Sequence, residues 1–142
     1  MMICMSKACA CVVLLGFGAA AQAPEIYKTR LAPVARDLAM RATITGEGSA
    51  TGTLAGNKLT IKGTFEGLAS PATVAHIHQG TAPGVRGARV LDLTVTKAAK
   101  GEVSGAFDLQ PEQVEFLKKG RWYVQIHSEK APKGNLWGWL MK

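Results

Sequence analysis

The chain has 142 residues, a formal net charge of +7 and 47% hydrophobic residues, but only three histidines and three cysteines. That length allows one domain at most. All three cysteines, Cys4, Cys9 and Cys11, lie within the first 21 residues, so the remainder can build neither a disulfide nor a cysteine metal site.

Residues 1–21 read as a signal peptide. Lys7 supplies a weak positive start, Ala8 to Phe17 is an apolar run, and "GAAAQA" offers the small residues that a signal peptidase reads. Cleavage is expected after Ala21 rather than Ala23, because Pro24 would follow the later cut. The apolar run is shorter than the ~20 residues of a spanning helix. The expectation is therefore a periplasmic or secreted mature protein with no transmembrane anchor after cleavage. Loss of Lys7 leaves +7 − 1 = +6. In an exported protein that charge fits an acidic envelope or extracellular partner, or simple solubility, and argues against nucleic acid.

Residues 22–37, with Pro24 and Pro33, read as a lead-in to a domain over 38–142. Short alternating segments rich in Val, Ile, Thr and aromatics then recur at 38–45, 49–55, 58–68, 72–78, 88–95, 102–109, 121–128 and 135–141. Gly, Asn or Pro separates them, and "AGNK" at 55–58 is a tight-turn signal. The pattern predicts an all-β fold, a β-sandwich or barrel. One segment breaks the rhythm. Pro111, early acidic residues, late lysines and Gly120 predict a short surface helix over about 111–119.

Period-2 alternation places the histidines. In "ATVAHIH", Val74, His76 and His78 share one strand face, and Ala75 and Ile77 the other. In "RWYVQIHS", Trp122, Val124 and Ile126 form the apolar face, opposite Tyr123, Gln125 and His127. All three histidines are thus turned away from the core. His76 and His78 can converge on one ion, and His127 from a second strand would complete a three-histidine set suited to copper or zinc. Asp92 or Glu129 could add a carboxylate, but neither spacing is diagnostic and an ordinary surface role suits both better. Parallel strands, or strands meeting at a corner, bring the three together. A paired antiparallel arrangement can set them at opposite ends. The alternative is a structural role, in which the histidines hydrogen-bond the glycine-rich loop from Gly80 to Gly87.

The last segment leaves two registers open. If Leu136 and Leu140 point inward, Trp137 and Trp139 lie outside the core beside Tyr123, as a stacking platform or an interface. The reverse register buries the tryptophans. Catalytic signals are thin, and no catalytic residue is assigned. There is no Gly-x-Ser-x-Gly elbow and no carboxylate pair spaced for acid–base work, and "GTAPGVRG" does not open a helix as a dinucleotide loop must.

Three stretches, "AHIHQGTAPGVRGARVLDL", "GAFDLQPEQVEFLKKGRWYVQIHS" and "APKGNLWGWL", resemble in order and spacing the CHRD domain, a module named after chordin and also found in exported microbial proteins. The resemblance covers about 40 to 142. Together with the strand pattern it implies an immunoglobulin-like or Greek-key β-sandwich or barrel, and it implies little about function. The leading expectation is an exported, non-catalytic binding module, with one metal ion as a candidate ligand. This chain departs from the family at its end, where Asn135, Trp137 and Trp139 replace the usual acidic residue, arginine and polar residue. The His-x-His strand is also similar to the copper-binding strand of copper-zinc superoxide dismutases, which would imply a small copper-dependent redox protein. The further histidines and the disulfide of that family are missing from the sequence beyond residue 21. A purely structural or adhesion module is the third reading.

Overall fold

The computed structural model describes residues 23–142. The signal-peptide expectation lies outside the described residues. Eight strands run in chain order: β1 (Glu25–Pro33), β2 (Glu47–Ala55), β3 (Lys58–Glu66), β4 (Ala72–Gly80), β5 (Gly87–Val95), β6 (Gly101–Asp108), β7 (Trp122–Ser128) and β8 (Ala131–Trp139). A helix, α1 (Pro111–Lys118), connects β6 to β7. Every pairing is antiparallel, and the spatial order β1-β2-β3-β6-β5-β4-β7-β8 closes on itself. The all-β expectation thus resolves to a closed barrel rather than an open sandwich. Strands β4, β5 and β6 follow one another by hairpins while β3 returns beside β6 and β7 beside β4, which is Greek-key connectivity.

Two narrow seams close the barrel. β1 pairs β2 along most of its length, then turns so that Ala32 and Pro33 meet Trp137 and Leu136 of β8. β5 touches β6 only through Thr94–Ser104 and Val95–Val103. An immunoglobulin-like sandwich leaves such edges apart. Here they are stitched, which removes exposed strand edges.

The core follows from alternation. Leu59, Ile61 and Phe65 of β3, Ala75 and Ile77 of β4, and Trp122, Val124 and Ile126 of β7 all point inward and are buried. Leu136 and Leu140 join them. α1 follows the expected signals: Pro111 stands in its first turn, the Gln113 side chain accepts the Gln110 N–H at 2.9 Å, and Gly120 ends it at φ +69°. Leu117 of α1 is fully buried in the barrel core.

Two expectations near the start are corrected. Residues 38–45 form no strand. They hold a 3₁₀ turn at Ala39–Ala42, where Asp37 Oδ1 accepts the Met40 N–H at 2.9 Å, and Leu38 is 77% exposed. The supposed lead-in instead supplies β1, whose Tyr27 and Leu31 enter the core.

The segment after β1 then folds over the outside of β8. Val34, Ile44 and Ala131 form a small second cluster against Trp137. Asn135, fully buried, donates to the Thr45 carbonyl at 2.7 Å and accepts from Ser128 Oγ at 3.0 Å. The outer face of β7 and β8 is therefore a covered layer rather than a solvated one. This corrects the picture of Tyr123 and the tryptophans as an exposed platform: Tyr123 is buried, and Trp137 and Trp139 are half-buried.

Candidate metal site

Pairing register builds the outer face of the barrel around β4. One cross-strand row runs Arg89, His78, Tyr123, Trp139 across β5, β4, β7 and β8, and the next runs Asp92, His76, Gln125, Trp137. His127 lies two residues beyond Gln125 on β7, diagonal to His76, a spacing that imidazole rings bridge. Antiparallel pairing of β4 and β7 therefore does not separate the histidines. The register brings them together.

The ring centroids lie 5.7 Å apart for His76 and His78, 5.2 Å for His76 and His127, and 6.2 Å for His78 and His127. One nitrogen from each ring falls within 4.8 Å of the others, and all three residues are half-buried. A zinc ion bound at ~2.0–2.1 Å from each nitrogen would hold them about 3.3 Å apart. Ring rotation about χ2, which is soft for histidine, can supply that closure.

Hydrogen bonding orients two of the rings. His78 Nδ1 lies 3.0 Å from the Gly87 carbonyl, and His127 Nδ1 lies 2.9 Å from the Pro132 carbonyl. A carbonyl can only accept, so each Nδ1 carries the proton and each Nε2 keeps its lone pair. Among the described residues, the buried side-chain nitrogens and oxygens without a hydrogen-bond partner are His78 Nε2, His127 Nε2 and Trp139 Nε1. An unpaired buried acceptor costs about 1–3 kcal/mol. Two such lone pairs in one histidine cluster are what a metal ion satisfies, and a main-chain carbonyl behind each ligand is the usual outer support of such a site.

The glycine-rich loop matters through that carbonyl. Gly87 pairs Gly80 across β4 and β5, and a Cβ at Gly87 would collide with the Gln79 carbonyl. Glycine lets the strands approach closely enough for His78 to reach the Gly87 oxygen. The loop contact expected of the histidines is thus present for His78, and it leaves the Nε2 of that ring without a hydrogen-bond partner.

Burial lowers the pKa of His76, helped by His127 and Arg89 and opposed by Asp92. Burial also lowers that of His78, opposed by its bond to Gly87. Both shifts favour neutral imidazole, the metal-binding form.

Tyr123 stacks on His78 at 5.1 Å with planes 17° apart, and its hydroxyl donates to the Gly87 carbonyl at 3.3 Å and accepts the Gly87 N–H at 3.1 Å. Trp139 follows at 4.7 Å from Tyr123 and Trp137 at 4.8 Å from Trp139, with the Arg86 guanidinium 4.5 Å above Trp137. These aromatics touch one another and wall one side of the cluster. Residues that the sequence does not tie to the site are Arg89 and the carbonyl of Pro132, whereas the loop that ends at Gly87 is expected beside the histidines.

Residues 33–140 match the family model of the CHRD domain. The chain belongs to the CHRD family. Neither curated proteins nor solved structures give a match to it. Membership covers all of the barrel except most of β1, and both histidine-bearing strands fall within it. No helix among the described residues of this CHRD protein is long and apolar enough to cross a membrane.

Proposed function

We propose that this CHRD protein is an exported binding module that holds one copper or zinc ion through His76, His78 and His127. The observation that carries the reading is the pair of buried Nε2 atoms, on His78 and His127, whose Nδ1 partners are main-chain carbonyls. Three imidazoles suit zinc or copper and leave a coordination position for water or another ligand. Its place is the periplasm or the extracellular medium, as the apolar start of the chain suggests. A basic surface fits an acidic partner there, with the ion as part of the contact or as a structural support.

The test is metal content of the mature protein purified from its own envelope or medium, followed by calorimetric titration with Zn(II) and Cu(II). One equivalent should bind, and His78→Ala and His127→Ala should each weaken binding by roughly a hundredfold or more. Wild-type affinity in His127→Ala would remove the three-histidine site. A second reading, a small copper-dependent redox protein, draws support from the Tyr123 ring stacked on His78 and the tryptophans behind it. Copper-dependent redox activity that disappears in His76→Ala would favour it, and tight zinc binding without such activity would count against it.

A further inference from the structure

We propose that Asp92 is the fourth protein ligand of this ion, making a three-histidine, one-carboxylate set; the inference rests on the histidine reading above. The β4–β5 ladder changes register between Ile77 and His78: His76 faces Asp92 and Ile77 faces Leu91, but His78 faces Arg89. Val90 is the extra residue. Without this bulge His78 would face Val90, and Arg89 would be shifted out of the histidine row. Bulges re-aim side chains beside functional sites, and this one puts both Arg89 and Asp92 directly across from a histidine.

Asp92 Oδ1 lies 3.7 Å from His76 Nε2 and 3.6 Å from Arg89 Nε. Both separations exceed a hydrogen bond, so the oxygen is committed to neither neighbour. A nitrogen and an oxygen bound tetrahedrally to one ion at ~2.0–2.2 Å sit about 3.4 Å apart, which is close to the spacing already present. Asp92 is largely exposed while His76 is largely covered, so the carboxylate can move to the ion without repacking the barrel. Arg89 neutralises it when no ion is bound. A carboxylate in the set also favours a divalent ion over cuprous copper, because oxygen is a hard donor.

Cobalt(II) and zinc(II) distinguish this role from a merely orienting one. Wild-type protein should bind Co(II) with the intense visible bands of a four-coordinate site. Asp92→Asn should weaken Zn(II) roughly tenfold or more and shift the Co(II) bands, with its metal-free melting temperature unchanged. Asp92→His, which restores a donor, should recover four-coordinate bands. Arg89→Gln should bind slightly more tightly than wild type. If Asp92→Asn keeps both the Zn(II) affinity within twofold and the Co(II) spectrum, Asp92 is not a ligand, while the three-histidine site stands. If affinity falls but the spectrum is unchanged, Asp92 positions His76 and the ligand assignment is overturned. Wild-type protein that binds neither ion overturns the histidine reading and this one together.

Discussion

His76 and His78 carry a pH dependence that can be worked out from their surroundings. Burial is the main reason both titrate below the usual value near 6.5. Well above that pH neither the folded nor the unfolded chain holds the proton, so these groups contribute no slope. As pH falls through about 6.5 the unfolded chain takes up protons first. Stability is then lost until the pH passes the lowered folded values. The metal-free protein is therefore expected to melt at progressively lower temperature between about pH 7 and pH 5, and His76→Gln/His78→Gln should flatten that slope. Calorimetric melts across that range check it, and equal slopes for the two proteins would refute the assignment.

The strands show which features were legible in the sequence and which were not. Faces could be read, because alternation is a local property: Ile77, Val124 and Ile126 are buried, and the histidines lie on the other side. Their convergence could not be read. It depends on the β4–β7 register, and the aim of two of the rings depends on the main-chain carbonyls of Gly87 and Pro132. β1 is hard to read as a strand because Pro24 precedes it, Pro33 ends it and its charged residues alternate with Tyr27 and Leu31. The 38–45 segment looked strand-like because Leu38 and Met40 alternate with smaller residues, yet Asp37 caps a 3₁₀ turn there and both apolar side chains face solvent. The layer outside β7 and β8 supplies its own prediction. Cu(II), whose open d shell quenches indole emission, should dim Trp137 and Trp139 through their contact chain to His78. Zn(II) should not, and His78→Ala should abolish the Cu(II) effect. A fluorescence titration with both ions measures this, and equal quenching by the two would contradict the placement.

For the molecule as a whole, the two seams set where it opens. Only two ladder pairs hold β5 to β6, whereas β3 and β6 share eight. Amides of Gly87–Leu93 that face the seam should exchange with solvent faster than those of β3, as expected of a low-stability opening unit. Native-state hydrogen exchange resolves this, and uniform protection around the barrel would contradict it. A bound ion shifts the balance further: at a hundred times its dissociation constant it adds about 2.7 kcal/mol to stability. The residues that would hold that ion are far apart along the chain. His78 and His127 are 127 − 78 = 49 positions apart, and no cysteine occurs after residue 21. An ion between β4 and β7 therefore ties together two distant points of the chain, the task that disulfides perform in many secreted domains. The two kinds of tie fail differently. A disulfide yields to thiol reductants, whereas this one would ignore them and yield to acid or to a chelator. For an exported protein, as proposed, persistence would then follow the local supply of metal rather than the local redox poise.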